Sequence, residues 1–548
     1  MLHAVSANKD LRVISLYACY SSNMNPVWMA TAHVLAAAVW FPAAPPAIQP
    51  GGVVNAASLI PPALPGGSLA PGSLVRIYGD RLGPTQPVEA PPDSPVHELG
   101  GVGVIFRAAG VSAQALLRYV SAARIDAILP GRISPGEAAL EVTFNGQRSE
   151  PYPVRVVEAA FGIFSPAYSP EHPARPGEVV TLTGTGLGLS RNVEVFVGGQ
   201  PARRILRAAP IACCPGTDEL RFAIPERAPA VCSVPVQVRV GGRSVSNSVF
   251  LPIALRESLC EESGWALSEV LRQPRYGWAL LWRLALHLDT PGHSMAGFEA
   301  DVGAAAFRRH ADERESEQPL RSLPTPGTCV AYARTASWSS LLALLSPESR
   351  VSAGTGLDAG PRLRVTGPQG SRELIPGRRD RFTFSGTLGG LLPGPGRHPM
   401  PMFFGSGTVT VQGAGGADVG PFTSRVQTDE AIVWTDRDRV VDVFRSRGLQ
   451  VHWKAPKSAR VIVGAINTDQ TSGATGLCVC LAKPGATSFT IPALALANLP
   501  ASGAADTLPM HWIFVAALPR HAFSTPVPGL DGFAAAFASV SARTVHFR

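Results

Sequence analysis

The sequence predicts an all-β protein made of several sandwich domains, and three observations support this fold class. Apolar and polar residues alternate with a period of two along short segments, as in "NVEVFVGG" at 192–199. The 55 glycines and 51 prolines are spread throughout the chain, which suits many short strands joined by turns. One segment also recurs, as "PGSLVRIYGDRLG" at 71–83 and "PGEVVTLTGTGLG" at 176–188. Because 548 residues exceed what one hydrophobic core supports, we expect more than one domain.

The N-terminal region is predicted to be an export signal. Residues 27–41 form an apolar run that is too short to span a bilayer but has the length of a signal-peptide core. Small residues and prolines follow, so we expect cleavage between Ala38 and Ala47 and assign 1–47 to the leader. The basic residues of the N-terminal region lie well upstream of this apolar run. A translation start at Met24 would give a compact leader that contains no basic residue. The alternative is an apolar tail that belongs to the fold. No other segment reads as a transmembrane anchor.

The net charge of +8 does not predict a nucleic-acid partner. Of the 48 basic residues, 44 are Arg, a bias that points to coding composition more than to a selected phosphate-binding surface. The brief clusters at 203–207 and 377–381 contain no interleaved aromatic residues for base stacking. We therefore expect an ordinary solvated surface.

The glycine-rich stretch "TLTGTGLG" at 181–188 predicts a β-turn and not a phosphate-binding loop. A P-loop would continue with Lys and Ser or Thr and then enter a helix, whereas Gly186 precedes Leu187 and a strand pattern follows. The first copy of the repeat places Asp80 and Arg81 where such a loop needs small residues. The glycines are thus expected to supply positive φ between strands.

Each copy of the repeat covers about 100 residues, with turns every eight to twelve residues, which is the rhythm of a β-sandwich. "PGEVVTLTGTGLG", "VEVFVGGQPA", "LRFAIP" and "VPVQVRVGGRSVSNSVFLPI" resemble an IPT/TIG domain, which has an immunoglobulin-like fold. The whole of 51–254 is similar to the tandem IPT/TIG-like modules of exported acidobacterial proteins of unknown function. This resemblance implies exported, non-catalytic modules at 48–157 and 158–254, with no catalytic residues to carry over.

Residues 255–548 differ from the two modules because they contain seven of the nine tryptophans. From Trp278 to Leu288 the even positions are apolar, while the odd positions include Arg283 and His287. We expect a larger antiparallel β-sandwich here, with a jelly roll as one arrangement. Several short sequence segments of this region are similar to domains that occur together with the same modules in exported proteins. This similarity implies no function.

Eight cysteines support export, since disulfides form in oxidising compartments. We predict one bond from Cys232 to either Cys213 or Cys214, a pattern that those modules often carry. A second bond is predicted between Cys260 and Cys329.

Cys478 and Cys480 lie two residues apart on a predicted strand, an awkward separation for a bond between them. A buried thiol pair, or a bond to a cysteine elsewhere, is expected there in preference to a metal site.

Two clusters are candidate metal sites, although no cofactor is expected. His287, Asp289 and His293 in "HLDTPGH" would offer nitrogen and oxygen ligands if the strand end folds back, but their spacing matches no helix-borne motif. Asp436 and Asp438 in "WTDRDRVVDV" would hold calcium or act as acid and base in glycoside hydrolysis. The competing interpretation is a hairpin turn in which neighbouring arginines neutralise both carboxylates.

Trp434 and Trp453 are the candidates for ligand stacking, because each borders polar residues and an exposed indole ring can stack on a sugar. The competing interpretation is that both belong to the core, as aromatic residues in alternating strands usually do. No Gly-x-Ser-x-Gly motif occurs, and no residue is assigned a catalytic role.

Together these observations predict an exported, non-catalytic modular protein with a structural, adhesive or binding role at the cell surface or outside the cell. Glycans or other surface proteins would be its partners. Two alternatives stay open for 255–548, a carbohydrate-binding domain and a hydrolase. Exposed coplanar tryptophans would favour the first, and a convergent cluster of acids or histidines in a cleft would favour the second.

Overall fold

The computed structural model describes residues 44–188, 190, 192–255, 259–260, 269–290, 293–310, 323–335, 354–378, 380–390, 399–503, 510–519 and 523–548. The chain from Pro45 to Arg548 forms one compact unit. Most of the predicted leader lies outside the described residues. Among the helices that are described, none is long and apolar enough to cross a membrane.

The first module is a β-sandwich of the immunoglobulin-like type with two sheets, ordered β1-β2-β8-β7-β3 and β10-β9-β5-β4. Strands β11 and β6 extend the second sheet through β9 and β5. Its strands are β1 (Ala47–Asn55), β2 (Leu74–Asp80), β3 (Val88–Glu89), β4 (Glu98–Leu99), β5 (Val102–Ala108), β6 (Val111–Gln114), β7 (Leu116–Val120), β8 (Arg124–Ile128), β9 (Gly136–Phe144), β10 (Gln147–Arg148) and β11 (Tyr152–Val156). Alternate residues such as Val104 and Phe106 on β5 face Ile77 across the core, as the period of two requires.

The second module repeats this architecture with sheets β12-β13-β17-β16 and β15-β14-β18-β19, and β20 also pairs with β18. Its strands are β12 (Gly162–Ile163), β13 (Val179–Thr185), β14 (Val193–Val197), β15 (Gln200–Pro201), β16 (Ile205–Pro210), β17 (Asp218–Ala223), β18 (Val234–Val240), β19 (Ser244–Val245) and β20 (Val249–Leu251). On β18 the even-numbered valines from Val234 to Val240 face the module core, so Gln237 and Arg239 lie on the opposite face.

The glycine-rich stretch forms a turn, as predicted. Gly186 has φ +96°, and a Cβ atom there would lie 2.3 Å from the carbonyl oxygen of Ala160. Only glycine tolerates both the conformation and the close approach. In the first module the matching residue, Arg81, also has positive φ, at +56°. The first copy of the repeat thus keeps a positive φ at this position, although arginine stands there in place of glycine.

The C-terminal region is built on one 14-stranded sheet, whereas a jelly roll divides eight strands between two sheets. The main path is ordered β23-β34-β33-β36-β38-β21-β22-β27-β26-β25-β28-β29, with β24 and β37 paired to β22 and β38. β21 and β38 are parallel, and the other pairings of this sheet are antiparallel. Two small sheets, β30-β32-β35 and β31-β39, complete the region.

The strands of this region are β21 (Arg275–Thr290), β22 (His293–Arg309), β23 (Thr328–Thr335), β24 (Thr355–Gly356), β25 (Leu363–Gly367), β26 (Gly370–Pro376), β27 (Thr383–Gly390), β28 (Gly407–Gly413), β29 (Phe422–Thr428), β30 (Val433–Trp434), β31 (Asp442–Val443), β32 (Leu449–Lys454), β33 (Arg460–Thr468), β34 (Ala474–Leu481), β35 (Ser488–Ile491), β36 (His511–Leu518), β37 (Phe523–Ser524), β38 (Gly532–Thr544) and β39 (His546–Phe547). A 3₁₀ turn spans Arg437–Arg439, and a short α-helix, α1, spans Ala493–Leu496.

Strand β21 separates two cores. Its even positions, such as Trp278 and Trp282, pack into one hydrophobic cluster, which confirms the apolar stripe predicted from the sequence. The odd positions Ala279 and Leu281 are also buried, because β25, β28 and β29 fold over the other face of β21 and enclose a second cluster. A third cluster lies between β33, β36 and the small sheet β30-β32-β35.

Hydrogen bonds join the three parts of the molecule. The Asn55 side-chain amide of the first module donates to the carbonyl oxygens of Ala160 and Thr185, at 2.9 and 3.1 Å. The second module is fixed to the C-terminal region at Ser233, whose hydroxyl donates to the Leu323 carbonyl oxygen at 3.0 Å. Asn498 also donates from its side-chain amide to the module, at the Ser246 carbonyl oxygen.

The predicted disulfide pairing was wrong. Cys232 is bonded to Cys260, a link between the second module and the C-terminal region. Cys213 and Cys214 carry no disulfide. They lie in the turn between β16 and β17, which belong to one sheet, whereas Cys232 precedes β18 in the opposite sheet.

The second bond joins Cys329 to Cys480 and not to Cys260. The register of β23 and β34 places Cys329 directly opposite Cys480, 151 residues further along the chain. Cys480 therefore bonds a cysteine elsewhere, one of the two outcomes expected for it, and Cys478 is a buried free thiol.

Candidate functional site

The two tryptophans proposed for ligand stacking are core residues. Trp434 and Trp453 pair directly across β30 and β32 and are only 4% and 2% exposed. They pack against Val463 and Val515 of the large sheet in the third cluster. An indole ring in this position has no face to offer a sugar, so the stacking prediction is wrong. Side chains alternate between the two faces of β32, and Trp453 lies on the face that the large sheet covers. Its cross-strand partner Trp434 on β30 lies on the same face.

Asp436 fixes the turn that follows Trp434. Its carboxylate accepts hydrogen bonds from Trp434 Nε1 at 2.7 Å and from the His452 backbone N–H at 2.9 Å. The Nδ1 atom of His452 lies 2.6 Å from the other carboxylate oxygen. Partial burial raises the pKa of Asp436, but these hydrogen bonds outweigh it and hold the pKa below its ordinary value. The contacts give Asp436 a structural role at the turn.

Asp438 is largely exposed and is surrounded by positive charge. The hydrogen bond from Arg437 Nε, at 3.0 Å, is the main reason that the pKa of Asp438 is lowered. Arg543 lies 3.7 Å away, and His287 adds to the same effect. The competing interpretation, a turn in which neighbouring arginines neutralise the carboxylates, therefore describes Asp438, whereas Asp436 is held by Trp434 and His452 instead.

The candidate set His287, Asp289 and His293 spans the hairpin from β21 to β22. The side chain of His287 is half-buried, and that residue lies beside Arg543 of β38 in the sheet. The side chains of Asp289 and His293 lie outside the described residues, so their convergence stays a prediction. What the structure shows is that His287 lies near Asp438, a member of the other candidate set.

Three sulfur atoms cluster at β23 and β34. Those of Cys329, Cys478 and Cys480 lie within 4.8 Å of one another, with 3.7 Å between the last two. Two of the three are joined in the disulfide, which leaves one thiol. Burial raises the pKa of that Cys478 thiol, so it stays protonated and chemically inert at neutral pH.

A cleft of about 520 Å³ lies between the second module and the C-terminal region, and sequence reasoning did not find it. One wall is the outward face of the sheet that contains β14 and β18, with Phe196 and Gln237 directly opposite each other. The facing wall comes from the start of β23, from Lys483, and from β35 with Phe489. Its volume is in the range of small-ligand sites, which occur preferentially at such interfaces between domains.

Gln237 is the most informative residue of the cleft. The alternation of β18 predicts a solvated side chain, yet Gln237 is only 5% exposed because the C-terminal region covers this face. Its Nε2 group is buried and has no hydrogen-bond partner among the residues that the structure describes. A buried donor without an acceptor costs about 1–3 kcal/mol. The Nε1 atoms of Trp453 and Trp512 are in the same state, so this feature by itself does not indicate a ligand.

The cleft is positively charged. Arg227 and Lys483 are the charged residues of its lining, and none of the described residues that line it is acidic. A hydrogen bond of 2.8 Å from Gln200 Nε2 to the Arg227 carbonyl oxygen holds the loop that carries this arginine. The arrangement suits a ligand with negative charge and with oxygen atoms that accept hydrogen bonds.

No protein-family model matches the chain, and no curated protein sequence matches it. Among solved structures, the chain is similar to the extracellular region of plexin A4, with 20% identity and a TM-score of 0.15. That match covers 39% of this chain and 18% of the plexin chain, so the protein spans under a fifth of plexin's length.

Two further structures cover more of the chain. One is the SGBP-B protein of the mixed-linkage glucan utilization locus of Bacteroides ovatus, in complex with a mixed-linkage heptasaccharide. It shows 10% identity and a TM-score of 0.14 over 78% of this chain and 94% of that one. The other is the I9–I11 tandem of titin, with 8% identity and a TM-score of 0.12 over 66% and 94%. At such TM-scores these likenesses carry no argument about function.

Proposed function

We propose that this protein is an exported, non-catalytic modular binding protein and that the cleft between its second module and its C-terminal region holds the ligand. The observation that carries the proposal is the cleft itself, about 520 Å³ in volume, whose walls combine phenylalanine, proline and carboxamide groups with two cations, Arg227 and Lys483. Clefts of this size between domains are preferred places for ligand sites.

Export is supported by two features of the chain. Its two disulfides suit an oxidising compartment. The apolar run at 27–41 has the length of a signal-peptide core. The likeness of 51–254 to IPT/TIG modules agrees with this location, and we propose that both sandwiches belong to that domain type.

A binding role is supported over hydrolysis by the partners of the candidate acids. Asp436 is held by Trp434 and His452, and Asp438 is paired with Arg437. Neither carboxylate lines the cleft. Glycans remain candidate ligands, with the cleft replacing the two core tryptophans as the contact surface.

The proposal is tested by removing the amide without changing the shape of the side chain. The purified protein is screened for retention on immobilised neutral glucans, acidic polysaccharides and peptides, and the eluates are assayed for released product. We expect retention on at least one probe, at least tenfold weaker in Gln237→Leu, with no product released. Gln450→Leu, at an exposed position of β32 outside the cleft, is the matched control and should behave as wild type.

Stability separates a binding role from a structural one. Leucine removes an unsatisfied buried donor, so Gln237→Leu should unfold at the same temperature as wild type or at a higher one. A variant that binds as well as wild type, or a wild-type protein that binds none of the probes, would overturn the proposal. Turnover by the wild-type protein would overturn its non-catalytic part.

A further inference from the structure

The unpaired positive charge of the cleft comes from two distant parts of the chain. Arg227 lies in the loop after β17, and Lys483 lies in the loop after β34. Both residues are exposed, and neither has an ion-pair partner within the described part of the chain. Only the packing of the second module onto the C-terminal region brings them to one cleft. Arg239, which lies on the same face of β18 as Gln237, is already neutralised by two hydrogen bonds of 2.7 Å to Glu194.

Between these charges the cleft offers flat apolar surface and amide groups. Phe196 and Phe489 are half-buried in its walls, together with several prolines. The guanidinium of Arg239 lies 5.3 Å from the centroid of the Phe196 ring and helps to fix that ring in place. Gln237 and Gln200 contribute carboxamides. The Nε2 donor of Gln200 is already bonded to the Arg227 carbonyl oxygen and that of Gln237 is closed off from solvent, so the carboxamide oxygens, which accept hydrogen bonds, are the groups relevant to a ligand.

A sugar ring that carries a carboxylate matches this combination of groups. Its C–H face can pack on phenylalanine and proline, its hydroxyl groups can pair with carboxamides, and its carboxylate can pair with arginine or lysine. An acidic peptide would also supply carboxylates. However, an acidic peptide presents no flat C–H ring face to Phe196 and Phe489 and no hydroxyl groups to the carboxamide oxygens of the cleft.

Given the binding role proposed above, we propose that the ligand of the cleft is an acidic carbohydrate, an oligosaccharide segment with uronic-acid carboxylates. Arg227 and Lys483 contact the carboxylates, and the carboxamide oxygen of Gln237 accepts a hydrogen bond from a ring hydroxyl. The ligand bridges the second module and the C-terminal region.

The test compares three probes of matched length by affinity electrophoresis: polygalacturonate, its fully methyl-esterified form and poly-glutamate. We expect binding to polygalacturonate, with at least tenfold weaker binding to the ester and to poly-glutamate. Arg227→Gln combined with Lys483→Gln should weaken binding to polygalacturonate by at least tenfold, which corresponds to about 1.4 kcal/mol. Higher salt should weaken wild-type binding, since both cations are exposed to solvent.

A charge-matched control is needed because the whole chain carries a net charge of +8. Arg132→Gln combined with Arg243→Gln removes two exposed charges outside the cleft and should leave binding within about twofold of wild type. Equal losses in the two double variants would show non-specific attraction and overturn the proposal. Equal binding of poly-glutamate would overturn the carbohydrate assignment.

The two proposals can fail separately. If a neutral glycan binds, and only Gln237→Leu weakens it, the cleft is the ligand site but the ligand is not acidic. If no carbohydrate or peptide probe depends on Gln237, both proposals fail together.

Discussion

At the scale of single residues, two buried polar side chains show opposite states of hydrogen bonding. The carboxylate of Asp301 is fully buried, accepts two hydrogen bonds of 2.8 Å from Arg283, and accepts the backbone N–H groups of Phe403 and Phe404 at 2.7 Å. The hydrogen bonds with Asp301 are also the main reason that the pKa of Arg283 is raised. Asp301 is thus a satisfied structural group, whereas the Nε2 donor of Gln237 is unpartnered, as is Trp453 Nε1 in the core.

Asp301→Ala should strongly destabilise the C-terminal region. It would leave Arg283 without its carboxylate partner and two backbone donors without their acceptor, and breaking a buried ion pair in this way costs about 3–5 kcal/mol. Denaturant unfolding followed by tryptophan fluorescence measures the change. Asp442→Ala, which removes an exposed partner of Arg548, is the control and should cost at most about 1 kcal/mol. Similar costs for both variants would contradict the structural role of Asp301.

At the scale of elements, the turn after β13 both reverses the chain and contacts the first module. Thr185, at its start, accepts the Leu74 backbone N–H at 2.7 Å and donates to the Gly216 carbonyl oxygen at 2.6 Å. The turn is thereby a contact between the two modules as well as a corner of the second. Its close approach to Ala160 is possible only because residue 186 is glycine.

Gly186→Ala should destabilise the second module more than an ordinary substitution at positive φ. The conformation itself costs an alanine about 1–2 kcal/mol, and the contact with the Ala160 carbonyl oxygen adds to that cost. Gly146→Ala is the matched control, with φ +80° and no atom within 4 Å of the added Cβ. Thermal unfolding should show a larger decrease for Gly186→Ala. A decrease no larger than that of Gly146→Ala would mean that the backbone relaxes around the methyl group.

At the scale of the whole molecule, the described parts of the modules and the C-terminal region form one compact unit. The Cys232–Cys260 bond, the Ser233 hydrogen bond and the Asn498 hydrogen bond all cross the junction where the cleft lies. A cleft between parts that are fixed in this way keeps its shape without a ligand, which lowers the entropic cost of binding.

Peptide mapping without reduction tests this arrangement. We expect linked peptides containing Cys232 with Cys260 and Cys329 with Cys480. Cys213 should react with a thiol reagent in the native protein because it is exposed, and Cys478 should react only after unfolding because it is buried. A peptide linking Cys232 to Cys213 or Cys214 would restore the pairing expected from the sequence and remove the covalent link at the junction.

The sequence by itself determined the features that depend on local patterns. The alternation of β14 and β21 identified strands and their core-facing residues, because side-chain direction in a strand follows directly from the period of two. The glycine pattern at 181–188 identified a turn, because positive φ is a local property of the backbone. The repeat identified two similar sandwiches for the same reason, since each copy carries its own strands and turns.

Only the tertiary structure decided what depends on elements far apart in the chain. Cys329 pairs with Cys480 because two strands 151 residues apart share a register, which no spacing reveals. Trp434 and Trp453 are buried because the large sheet covers their side of the small one. The strand pattern of β18 predicts that Gln237 is solvated, but the C-terminal region packs over this side chain and buries it. The sequence therefore did not predict the candidate site. Burial of an outward-facing side chain depends on both surfaces that meet there, and the strand pattern describes only one of them.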